Sequence, residues 1–173
     1  MITVSTEFFN PISQDFYDKT ISNLPFHQLT CSCGHSGCLT IHGYYYRSIK
    51  SEVSVVRLHI CRVKCSLCGV THAILLSSIV PYSQISLPDQ IRIISCYEQV
   101  DNFSSIMEET PSIDENNIHS IIHRYRKHWE QRILSLRLSI ESSISFIRLC
   151  FSHFNRQFMQ IKRTPNILFL KPT

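Results

Sequence analysis

Two short turns constrain this chain more than anything else in it: Cys31-Ser32-Cys33-Gly34 and Cys65-Ser66-Leu67-Cys68-Gly69. Each pairs cysteines with one or two residues between them and closes on a glycine, the residue that a tight turn accommodates without strain. Two such knuckles can hold one Zn²⁺, with a small antiparallel sheet hanging from them, which is the pattern of a zinc ribbon. A site of this kind takes four ligands, and the first choice is Cys31, Cys33, Cys65 and Cys68. Thr30 stands where a C-x-x-C spacing would place the first cysteine, so Cys38, just after Gly37, is the alternative ligand for one of the first pair. His35 and His42 are the histidine alternatives, and Cys61 reads as a packed residue of an apolar strand. The competing explanation is a set of free, buried thiols. Six of the eight cysteines fall between Cys31 and Cys68, which favours the metal.

The fold class expected from this pattern is α+β: a small zinc-ribbon antiparallel sheet followed by a helical, helix-turn-helix-like domain. Four segments are expected: an N-terminal arm over 1–30, the ribbon over 31–80, the helix-turn-helix-like domain over 86–130, and a long apolar helix with a C-terminal tail over 131–173. The arm has no clear period. Strands are predicted over Leu39 to Arg47, Val53 to Val63 and Thr71 to Leu76, with a phase slip near Val56 and Arg57 that reads as a bulge. The polar face of this sheet would carry Arg47, Lys50, Arg57, His59, Arg62 and Lys64 beside tyrosines, as a phosphate-contacting patch. A merely solvated sheet face is the plainer alternative.

Ser86-Leu87-Pro88-Asp89 predicts a helix start, with a serine cap, a proline in the first turn and an acid three residues after the cap. Asn102 would cap a short second helix ending at Thr110-Pro111, and Ser112-Ile113-Asp114-Glu115 reads as a capping box for a third. The third helix buries Ile118, Ile121, Ile122, Tyr125 and Trp129 and turns a basic face outward. Helix, short helix, turn and basic helix is the order of a helix-turn-helix unit. Asn116, Asn117, Ser120, His123 and Arg124 would lie nearest base edges, and Arg126 and Lys127 nearest phosphates. Apolar residues recur at three and four from Ile133 to Phe154, predicting one continuous helix that closes the core or pairs two copies in a homodimer. Ile167 to Leu170 would dock as an edge strand or tuck into the core.

Four runs carry a resemblance. They are Cys31 to Cys38, His42-Gly43-Tyr44-Tyr45-Tyr46-Arg47, Arg62-Val63-Lys64-Cys65-Ser66-Leu67-Cys68-Gly69-Val70-Thr71-His72-Ala73, and Val80-Pro81-Tyr82. Over roughly residues 25 to 130 the chain resembles a bacterial family of small transposase-like proteins, similar to the zinc-ribbon and helix-turn-helix head of insertion-sequence transposases. The resemblance implies zinc on the paired cysteines and binding of double-stranded DNA in a mobile-element context. The family pattern has C-x-x-C at the first knuckle, where this chain has C-x-C.

An enzyme is not expected. Asp101, Glu108, Glu109, Asp114 and Glu115 sit in short helices, with no strand-rich core to gather acids around two metal ions. A zinc surrounded by four cysteines has no open position. No G-x-S-x-G, Walker loop or H-E-x-x-H is written, and no small-molecule substrate is implied. The formal charge of +4 permits a nucleic-acid partner without demanding one. Met1-Ile2-Thr3-Val4-Ser5 is not a secretory leader, and no apolar run is long enough for a membrane, so a cytoplasmic protein is expected. The alternatives to a DNA-binding protein are a protein–protein adaptor or a decayed transposase remnant.

Overall fold

A computed structural model of the chain describes residues 1–6, 12–51, 54–100, 103–111, 113–140, 144–154, 156–161 and 167–169. It is a mixed α+β protein of two compact units. One unit is Met1–Ser48 and Val56–Ser78 together with a short C-terminal strand; the other is Ile49–Val55 and Ile79–Arg163. Asn102 and Ser112, expected as helix caps, Val53, the expected start of a strand, and Asp101 lie outside the described residues.

The sheet has five strands: β1 (Ile2–Ser5), β2 (Leu39–Lys50), β3 (Val55–Cys65), β4 (Thr71–Leu76) and β5 (Ile167–Phe169), in the spatial order β2-β3-β4-β1-β5. Residues 51–54 join β2 to β3, a connection too short for anything but an antiparallel hairpin. β3 and β4 are antiparallel, with Arg62 opposite Ala73, whereas β1 runs parallel to both β4 and β5. The segment expected as an arm therefore supplies an inner strand. Ile2, Thr3 and Val4 are all fully buried, as a strand covered on both faces requires. Four residues are too few to display a period, and so the strand is invisible to pattern reading. Ile167 to Phe169 takes the edge-strand option, outside β1.

The arm also contains a helix, α1 (Gln14–Ser22), capped by Ser13, whose side chain accepts the Phe16 N–H at 3.2 Å. Tyr17 and Ile21 form its buried side. The Tyr17 hydroxyl sits between two strands: it donates to the Ile74 carbonyl at 2.9 Å and accepts the Cys61 N–H at 2.8 Å. One residue further along than Arg62 and Ala73, this hydroxyl occupies the next rung of the β3–β4 ladder. Beyond it the His59 N–H bonds to the Gln14 side chain at 2.7 Å. Thus α1 satisfies the β3 edge that β4 has left.

The second unit is helical. α2 (Leu87–Val100) packs on α3 (Phe103–Glu109) and α4 (Glu115–Tyr125). The α2 start follows the sequence: the Ser86 hydroxyl accepts the Asp89 N–H at 3.3 Å and bonds to the Asp89 carboxylate. The α4 start differs. Its cap is Asp114, which accepts the Asn117 N–H at 3.1 Å, so the helix begins two residues later than a Ser112 cap would place it.

The helix expected to run unbroken to about residue 156 is interrupted. After α4 comes a π-helical turn, Arg126–Glu130, then α5 (Gln131–Ser135), and α6 starts only at Ile144 and ends at Phe154. The stop after Ser135 is a Schellman motif. The Leu138 N–H reaches the Ile133 carbonyl at 3.1 Å, the Arg137 N–H reaches Leu134 at 3.0 Å, and Arg137 takes a φ of +52°. Glycine normally fills that left-handed position, so an arginine there gives no stop signal. Ile133, Phe146, Ile147 and Cys150 all turn into this unit's own core, leaving Leu134 and Leu149 outside. Phe158 lies edge-on to Trp129 (5.1 Å), Phe146 (5.0 Å) and Tyr125 (6.4 Å) and is the hub of the aromatic cluster.

Candidate metal centre and nucleic-acid interface

The thiols of Cys31, Cys33, Cys65 and Cys68 lie within 4.8 Å of one another, an arrangement that could hold a metal ion. The two knuckles reach this geometry by different turns. In the first, the Gly34 N–H bonds back to the Cys31 carbonyl at 2.9 Å, three residues earlier; in the second, the Gly69 N–H bonds to the Cys65 carbonyl at 3.0 Å, four residues earlier. The tighter turn absorbs the missing residue of the C-x-C spacing. Both glycines are left-handed, with φ of +91° and +73°, and a Cβ at either would meet nothing within 4 Å. Glycine is there for its backbone, not for space.

Sulfur separations test the fit. Cys31 and Cys68 are 3.5 Å apart, and Cys33 and Cys65 are 3.8 Å apart. Metal–sulfur bonds of about 2.3 Å in a tetrahedron put sulfurs about 3.8 Å apart, while a disulfide needs about 2.05 Å. These pairs are spaced for coordination, and all the cysteines are free. The Cys68 N–H also points at the Cys65 sulfur, at 3.4 Å. With the Cys38 thiol adding to it, that hydrogen bond pulls the Cys65 thiol down to about 6. At Cys31 burial acts to raise the thiol, but hydrogen bonds from Cys33 and Cys68 together outweigh it and the thiol is lowered. At Cys68 a backbone hydrogen bond from Val70 favours the thiolate, but burial and the neighbouring thiols prevail and push it up to about 12. Four crowded thiols cannot all ionise together, and a bound cation would relieve that conflict.

Cys38 sits at the margin. Its thiol is 3.4 Å from Cys65 but donates to the His35 carbonyl at 3.2 Å, and burial followed by the Cys65 thiol pushes it up to about 11. Cys61 is fully buried within the sheet unit. His72, which the ligand reading passed over, stands on β4 with Nε2 3.2 Å from the Cys31 sulfur and Nδ1 3.3 Å from the Met1 amine. Burial and that amine lower its basicity. With its proton on Nε2, this imidazole would donate to the Cys31 sulfur and orient it, as an outer-sphere partner of a metal does. Its position four residues after Cys68 was the signal available in the sequence.

The proposed DNA-contacting residues fall into two sets. In the helical unit, Asn116, Ser120, His123, Arg126 and Lys127 are exposed on α4 and the π-helical turn, opposite buried Ile118, Ile121, Ile122 and Tyr125. Asn117 and Arg124 are half-buried, and burial lowers the Arg124 guanidinium. His119, Ile122, His123, Arg126, Lys127 and Glu130 line an open cavity of about 500 Å³. Burial lowers His128, and nearby Lys127, Arg132, His123 and Arg124 lower it further, a sign of crowded positive charge. Asp114 accepts a hydrogen bond from Lys50 at 3.3 Å.

In the sheet unit, Arg57, Arg62 and Lys64 are exposed and Arg47 is half-buried. The expected single basic face is in fact divided. Residues two apart share a face of a strand, so Arg57 and His59 lie opposite Arg62 and Lys64. The burial pattern of β3 agrees, with Leu58 and Ile60 buried on one face and Cys61, Val63 and Cys65 on the other. No family model matches the chain, and no curated protein or solved structure matches it significantly.

Proposed function

We propose that this protein is a zinc-bearing binder of double-stranded DNA, a zinc ribbon joined to a helix-turn-helix-like unit with no catalytic centre of its own. The observation that carries the DNA reading is the outer face of α4 and the turn after it, where Asn116, Ser120, His123, Arg126 and Lys127 are exposed on a helix packed at its back. Amide and hydroxyl groups can read base edges in a major groove, and the cations can hold phosphates. Four thiols mutually within 4.8 Å suit Zn²⁺, and a site so closed supplies folding energy and no catalysis. The likeness of the knuckles and strands to transposase heads supports a mobile-element setting, and free cysteines support a reducing, cytoplasmic one.

The test is metal content by elemental analysis together with duplex binding at two salt concentrations. One zinc per chain and affinity that falls with salt are expected. Arg126→Ala and Lys127→Ala should each weaken binding on any sequence and reduce the salt slope by about one. Duplex binding that is absent, or insensitive to both substitutions, would overturn the reading. Among the described residues no helix is long and apolar enough to cross a membrane.

A further inference from the structure

On one face of the β2–β3 hairpin, four side chains from alternating strands interleave in the order Tyr44, His59, Tyr46, Arg57. The His59 ring is 4.8 Å from both tyrosine rings, tilted 29° to Tyr44 and 23° to Tyr46, and the Arg57 guanidinium lies 4.1 Å over Tyr46. The tyrosines are spaced by two along β2, and Arg57 and His59 by two along β3, so the zipper follows from strand alternation. The stack is not core: Tyr44 is 47% and Tyr46 61% exposed, and His59 and Arg57 are exposed too. The acid nearest the stack on α1 is Asp18, which Gln14 links to the His59 backbone N–H. β2, β3 and β4 contain no aspartate or glutamate.

The geometry points to a second binding surface, one for single-stranded nucleic acid, on which unpaired bases extend or flank the Tyr44–His59–Tyr46–Arg57 stack. Aromatic and guanidinium planes in water, on strands that carry Arg47, Arg57, Arg62 and Lys64 and no acid, fit a polyanion that offers π-faces. Base-paired duplex hides those faces inside its own stack, so this surface selects unpaired strands. It belongs to the sheet unit and is independent of the α4 reading.

The test uses the zinc-loaded 173-residue chain and fluorescence anisotropy with four labelled probes: a dU 12-mer, an rU 12-mer, an abasic 12-mer and a 12-base-pair duplex. Both base-bearing single strands should bind more tightly than the abasic strand, and the better of the two identifies the preferred sugar. Tyr44→Ala and Tyr46→Ala should each weaken single-strand binding by about 5- to 150-fold while duplex affinity stays unchanged. Tyr46→Phe, which keeps the ring, should stay within about two-fold. Equal binding of the abasic strand, or Tyr→Ala variants that retain single-strand affinity, would overturn the inference and leave charge alone as the attraction. Binding of duplex but not of single strands would refute this surface and spare the α4 reading. Binding of single strands but not of duplex would do the reverse.

Discussion

Replacing the cysteines one at a time by serine separates ligands from neighbours. Cys31, Cys33, Cys65 and Cys68 have sulfurs mutually within 4.8 Å, and the Cys31–Cys68 and Cys33–Cys65 pairs, at 3.5 and 3.8 Å, are near the tetrahedral edge. Structural zinc binds with about 10–16 kcal/mol at neutral pH; shared among four thiolates, that is about 2.5–4 kcal/mol each. Loss of one ligand should therefore weaken zinc binding on the order of a hundred- to a thousand-fold. Cys38 is different in kind, since its thiol is engaged by the His35 carbonyl and touches the site through Cys65. Cys38→Ser should cost about ten-fold, the low end of the effect of an outer-sphere partner. Competition against a chromogenic zinc chelator, in reduced protein, reads all five variants on one scale. If Cys38→Ser falls as far as the others, or Cys33→Ser binds as well as the wild type, the ligand set is wrong.

Three further outcomes follow from particular contacts. Tyr17→Phe should destabilise the protein by about 2–6 kcal/mol in urea unfolding, because the buried Cys61 N–H and Ile74 carbonyl both lose their partner; a change below about 0.5 kcal/mol would mean that β3 and β4 close the gap themselves. Asp114→Ala should cost about 1 kcal/mol as a lost helix cap, and Asp114→Asn much less. The Asn117 hydrogen bonds and Lys50 hold the Asp114 carboxyl below its ordinary 3.8, so its ionic stabilisation is complete above that pH and disappears as pH falls through the depressed value, a feature that Asp114→Asn should lack. Burial pushes the Cys150 thiol up to about 12 from an ordinary 9.0; stability from keeping it neutral is full below pH 9 and declines between these values, and Cys150→Ala should flatten that alkaline loss in a pH series of unfolding curves.

The cysteine knuckles were legible because coordination demands a few residue types at fixed local spacings, and spacing is a property of sequence. The strands β2, β3 and β4 and the amphipathic stripes of α2 and α4 were legible for a similar reason: period records which face is buried. The start of α2 was legible through Ser86 and Asp89, whose bonds are local. Residues distant in sequence decided the rest. Ile2–Ser5 becomes an inner strand only because β4 and β5 lie on either side of it, and Tyr17 bonds to strands 44 and 57 residues away. The stop at Arg137 depends on a left-handed backbone that arginine does not advertise. The stack of Tyr44 and Tyr46 on His59 exists only once the register of two strands brings them face to face. Sequence alone set the chemistry of the knuckles and the period of the longer elements, which depend on neighbours along the chain. Tertiary structure decided strand order, the place of His72 beside the Cys31 sulfur and which basic residues share a face, since those depend on neighbours in space.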